Sequence, residues 1–120
     1  MGIISTPKPI QNQSRAASLK ERLDWGEPAL TIVDVRDRNV FNAGHIMGAV
    51  SIPMNGLVDY LLANLELVRD IYIYGETDAQ TAEAAAHLRG AGYQHVAELL
   101  GGLTDWQASG YPTEGFTAAV

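Results

Sequence analysis

Apolar residues along the chain fall into two alternating rhythms. Leu30–Val35, Ala49–Pro53, Ile71–Tyr74 and Val96–Leu99 are short, mostly β-branched or aromatic runs, the pattern of strands buried on both faces. Between them lie stretches with helical spacing. Ala16, Leu19 and Leu23 recur three and four residues apart around Ser18 and Glu21, which have capping-box spacing; Gly26 and Pro28 close that element. Asp37 opens a short helix through Val40 and Phe41 that Gly44 ends, and Asn55 caps another whose Leu57, Val58, Leu61, Leu62 and Leu65 form one stripe. Ala79–Arg89 is rich in Ala, Glu and Leu and stops at Gly90 or Gly92. Gly101 and Gly102 turn the chain into a last short helix around Trp106, which Gly110 and Pro112 terminate.

Strands alternating with helices over short loops predict an α/β domain, a parallel sheet with helices on both faces. Residues 1–13 are polar, contain Pro7 and Pro9 and show no period, so they read as a loose arm. Residues 14–114 form the domain and 115–120 a tail. Trp106 and the Leu57–Leu61–Leu65 stripe read as core, Trp25 as partly exposed, and Tyr72 and Tyr74 as packing against the covering helices.

The chain has 120 residues, of which 47% are hydrophobic and 18% charged, enough for one self-sufficient core. Eight Lys+Arg against 14 Asp+Glu leave a net charge of −6, which disfavours nucleic acid and anionic membrane surfaces as partners. There is no cysteine. Disulfides, thiolate metal sites, a thiol nucleophile and a persulfide are therefore excluded. No apolar run approaches the roughly 18 residues that span a bilayer. The first residues lack a secretory layout, and the expected location is cytoplasmic. Met1–Thr6 matches the loose N-myristoylation pattern, which an initiator residue before Gly2 explains equally well.

In an open parallel sheet, ligands sit beyond the C-terminal strand ends. Three segments reach that edge: Asp34–Asp37, Pro53–Asn55 and Gly75–Thr81. The third joins a buried strand to a helix N-terminus, where backbone N–H groups converge and ordinarily favour an anion. Asp34 and Arg36 suit a rim, or a structural ion pair tying loops together. His45 is a candidate base, although no partner for it is visible in sequence; His87 and His95 match no metal spacing with it. Thr77 and Gln80 have capping-box spacing, with Asp78 adding negative charge in the first turn.

Asp34-Val35-Arg36, Gly44-His45-Ile46, Gly48-Ala49, the Tyr74–Thr81 loop and Gly101-Gly102-Leu103-Thr104-Asp105-Trp106 resemble, in order and spacing, the rhodanese-homology domain. The resemblance spans roughly Ser14 to Pro112 and implies a five-stranded parallel sheet flanked by helices. It also implies a loop whose first residue is a catalytic Cys, with amides that hold the transferred sulfur and a later Arg that binds the anionic donor. On this chain the Cys position falls on Gly75, the Arg position on Gln80 and the loop Gly on Asp78. Gly75 has no side chain and cannot be a nucleophile, and Glu76 and Asp78 put carboxylates beside the cradle. Two such charges ~5 Å from a bound anion oppose it by a few kcal/mol at an effective dielectric near 20.

The loop Gly75, Glu76, Thr77, Asp78, Ala79, Gln80 and Thr81 thus reads as vestigial, with Asp34, Arg36 and His45 as rim or scaffold. Sulfurtransferase and Cys-dependent phosphatase chemistry are excluded, and no cofactor or metal is expected. The reading favours a binding or regulatory module whose partner is another protein or a neighbouring domain. The alternatives are an enzyme using His45 with Glu76 or Asp78, or a small-ligand sensor.

Overall fold

The computed structural model describes residues 8–26 and 29–115. The Met1–Thr6 pattern, Pro28 and residues 116–120 lie outside them. In chain order the elements are β1 (Gln13–Ser14), α1 (Ala16–Trp25), β2 (Leu30–Asp34), α2 (Arg38–Ala43), β3 (His45–Ile46) and β4 (Val50–Ser51). There follow a 3₁₀ turn (Met54–Gly56), α3 (Leu57–Asn64), β5 (Asp70–Tyr74), α4 (Asp78–Gly90), β6 (His95–Leu99), α5 (Gly102–Ala108) and β7 (Thr113–Glu114).

Five strands pair in parallel in the order β1-β6-β5-β2-β4. The register sets Asp34 opposite both Tyr74 and Ser51, so several strand ends share one edge. Strand residues alternate between two cores, as the pleat requires. Val33, Ile71, Ile73 and Val96 face Leu57 and Leu61 of α3 and Ala84, Ala85 and Leu88 of α4. Ile32, Tyr72, Tyr74, Ala97 and Leu99 face Ala16 and Leu19 of α1 and Trp106 of α5. Each side of the sheet is thereby covered, as the alternating pattern predicts.

Several local expectations are corrected. Gln13 is not part of a loose arm: with Ser14 it forms β1, registered on Glu98 and Leu99. That pairing fixes where the chain turns into α1, which begins at Ala16, so Ser18 lies inside the helix and no side chain caps its start. Asn55 likewise caps nothing, because Met54–Gly56 first make a 3₁₀ turn and Gly56 precedes α3. Of the α3 stripe, Leu57 and Leu61 are buried and Val58 and Leu65 pack at the edge of the core, whereas Leu62 is half exposed. The strand expected over Ala49–Pro53 contracts to two residues. Trp106 is fully buried and Trp25 is half exposed.

The small antiparallel pair of β3 and β7 carries no period of its own in the sequence. It sets Ile46 opposite Thr113 and is extended by Met47 N–H donating to the Pro112 carbonyl. Trp106 Nε1–H donates to the same carbonyl at 2.8 Å. The indole thus ties the end of the domain to the segment that follows α2.

Candidate functional site

At the end of β2, Asp34 is completely buried and accepts four contacts from Arg36. The Arg36 backbone N–H, Nε and Nη2 lie 2.7–3.1 Å from its carboxylate oxygens. Nη2 also donates to the Gly44 carbonyl at 2.7 Å, which fastens the turn after α2 to the sheet edge. The guanidinium lies 5.5 Å from the centre of the Tyr74 ring, and the Tyr74 hydroxyl accepts from Ile46 N–H at 3.1 Å. Burial disfavours the charged guanidinium, but the hydrogen bonds and charge of Asp34 outweigh it and raise the Arg36 pKa. Burial first, and then the charge of Asp34, push the Tyr74 phenol well above the usual tyrosine range. Asp34, Arg36 and Tyr74 therefore form one buried polar cluster that joins β2, β5 and β3.

The loop after β5 closes on its own side chains. Gly75 N–H donates to Thr81 Oγ1 at 2.8 Å, Glu76 N–H to Gln80 Oε1 at 2.7 Å and Gln80 N–H to Thr77 Oγ1 at 3.1 Å. Asp78 Oδ1 reaches across to Gly101 N–H at 2.9 Å. Thr77 is thus the N-cap of α4, as its spacing predicts. The reciprocal half of the box is displaced by one residue, because Gln80 satisfies Glu76 rather than Thr77. Replacing Thr77 by alanine should cost about 1 kcal/mol. Urea unfolding of the variant measures it, and an unchanged midpoint would show that the cap contributes nothing.

Gln80 also explains the residue at the loop's first position. A Cβ built on Gly75 meets the end and stem of the Gln80 side chain. The amide group thus fills the space that a side chain at 75 would need first. Across the loop, Gly101 and Gly102 have φ of 78° and 48°, a region that disfavours other residues. A Cβ on Gly102 would stand 3.4 Å from the Gly75 carbonyl. The glycine pair therefore lets the start of α5 lie close against the end of β5.

Between these loops is a pocket of about 300 Å3, lined by Arg36 and the segments 75–78 and 101–104. The structure brings Arg36, Glu76, Thr77 and Asp78 together there. His45 does not line it. The His45 ring stacks on Phe41 at 3.6 Å, Nδ1 lies 2.8 Å from the Phe41 carbonyl, and Nε2 is 3.6 Å from Glu114. His45 is a fastening of β3 to α2 and β7, apart from the two loop carboxylates. The sequence marked Gly101 and Gly102 as the turn into the last helix and 101–104 as part of the family resemblance, but not as a wall of this pocket; its place there depends on the long-range pairing of β5 with β6. Among the described residues, no group of three His, Asp or Glu side chains is placed to hold a metal ion, and no helix is long and apolar enough to cross a membrane.

These features define a parallel α/β domain whose ligand edge is a strand-to-helix loop facing a glycine pair. The chain belongs to the rhodanese-like domain family, whose pattern it matches over residues 15–109. The rhodanese-like domain of the Alr3790 protein from Anabaena sp. superposes with a TM-score of 0.86 at 54% identity, covering 92% of this chain and 87% of that one. A sulfurtransferase of Allochromatium vinosum is 33% identical over 101 residues, 84% of this chain and 92% of its own length. An HTH-type transcriptional regulator of Mycobacterium tuberculosis is 38% identical over 100 residues, 82% of this chain. The match spans only 42% of that regulator.

Proposed function

We propose that this chain is a non-catalytic rhodanese-like module that binds another protein or a neighbouring domain instead of transferring sulfur. One observation carries the reading: Gly75 opens the loop, and Gln80 occupies the space of the missing side chain while satisfying the Glu76 amide. A persulfide needs a thiol, and the chain contains none. Glu76 and Asp78 further oppose an anionic sulfur donor at the pocket mouth. The Mycobacterium tuberculosis regulator supports the regulatory side, since a related segment there makes up a minor part of a longer protein named for transcription control.

The test is thiocyanate formation from thiosulfate and cyanide by the purified protein. The expected rate equals that of a heat-killed control. Turnover above the control would overturn the reading.

A further inference from the structure

Inside the pocket, one part of the Arg36 guanidinium is uncommitted. Asp34 and the Gly44 carbonyl hold Nε and Nη2, whereas Nη1 makes no hydrogen bond among the described residues. The side chain is only 8% exposed, yet Nη1 is not among the buried polar atoms sealed from solvent. Arg36 is also one of the residues that line the pocket, and we assign its free N–H edge to that pocket. Asp34 already neutralises the guanidinium, so this edge offers hydrogen-bond donors with little net charge.

The rim has the opposite character. Glu76 is exposed, has no ion-pair partner among the described residues, and acts electrostatically on Arg36. Asp78 adds a second carboxylate, with one oxygen engaged by Gly101 N–H. The interior thus calls for an acceptor and the rim for a positively charged donor. An inorganic oxyanion satisfies the first and is repelled by the second. A simple amine satisfies only the rim. A carboxylate acceptor would meet the same repulsion as an oxyanion, whereas an uncharged carbonyl would not.

We propose that the pocket binds a primary ammonium group whose neighbouring carbon carries an uncharged carbonyl, the chemistry shared by a peptide N-terminus and an amino-acid amide. The carbonyl accepts from Arg36 Nη1 and the ammonium faces Glu76. The proposal rests on the reading of the chain as a non-catalytic binding module and names what that module recognises.

Glycinamide titrated into ¹⁵N-labelled protein tests it. Saturable shifts are expected at the amides of 75–78 and 101–104 and at the Arg36 Nε–H signal. Acetamide keeps only the acceptor and ethylamine only the ammonium; each should bind about tenfold more weakly, the loss of one charge-assisted contact. This removes the Arg36 contact from the ligand side, without a variant of Arg36 that would fail to fold. Glu76→Gln, at an exposed position, should weaken glycinamide about tenfold and leave acetamide unchanged.

Alanylalanine amide and its N-acetylated form separate the two sources. Tighter binding of the free dipeptide than of glycinamide assigns a peptide terminus, and weaker binding assigns a small amide; the acetylated form, which lacks the ammonium, should bind about tenfold more weakly than the free dipeptide in either case. Absence of saturable glycinamide shifts, or equal binding of acetamide, would overturn the proposal. Thiocyanate formation from thiosulfate above the heat-killed control would overturn the underlying non-catalytic reading instead, and a protein silent to glycinamide that shows no such turnover would leave that reading intact while ending this one.

Discussion

Asp34→Asn should lower the unfolding free energy by about 3–5 kcal/mol, the cost of leaving a buried charge without its partner. Asp34 has no exposed surface and meets Arg36 through its backbone N–H, Nε and Nη2. Asparagine nearly keeps the shape, but one carboxylate oxygen becomes an amide that points donors at donors. Arg36 is itself buried, so water cannot restore what is lost. Domains of this size have about 5–15 kcal/mol of stability in all, so much of the folded margin disappears. Urea denaturation with equal slopes for both proteins measures the change.

The contrast is Asp24→Asn, which breaks the exposed Lys20–Asp24 pair on α1. That substitution should stay within about 0.5 kcal/mol of the parent. If both variants shifted the midpoint equally, burial would not be what gives the Asp34–Arg36 pair its weight. The Asp-x-Arg element would then be a surface feature and not the fastening between β2 and the turn after α2.

Much of this arrangement was legible along the chain, and the reason differs from element to element. The runs at 30–35, 71–74 and 96–99 fell on β2, β5 and β6 because strands buried on both faces leave a continuous apolar signal. The cap at Thr77 was legible because an N-cap is decided within four residues. Ser18 and Asn55 offered similar local signals and failed, since β1 pairing and the 3₁₀ turn moved the helix starts. The β3–β7 pair was invisible because two-residue strands have no period, and its partners are brought together by packing around Trp106.

The candidate site divides in the same way. The positions Gly75 and Gln80 could be read from the resemblance, but not that the Gln80 amide turns back onto Glu76 N–H, which is a choice of rotamer. Nor could the contact from Asp78 to Gly101, 23 residues apart, be read without the sheet order that sets β6 beside β5. The uncommitted Nη1 of Arg36 is a remainder, known only after every other donor of that side chain has been assigned.

The second large effect is expected at alkaline pH. Burial and the neighbouring Asp34 charge hold the Tyr74 phenol above its ordinary range, and burial does the same for Tyr93. In the unfolded chain both titrate near pH 10. Below that value both states keep their protons and the contribution is fully present. Above it the unfolded chain loses protons that the folded domain retains, so unfolding becomes progressively easier. Each tyrosine kept protonated steepens the decline by about 1.4 kcal/mol per pH unit, until the pH reaches its folded pKa. Tyr74→Phe separates the two contributions. At pH 7 it should be less stable by about 1–3 kcal/mol, because Ile46 N–H loses its acceptor in a buried setting. Above pH 10 its stability should fall less steeply than that of the parent, and the two curves should converge. Urea denaturation at pH 7, 9, 10 and 11 supplies the comparison. Parallel curves would mean that the Tyr74 phenol ionises alike in both states, and burial beside Asp34 would then not be what holds its proton.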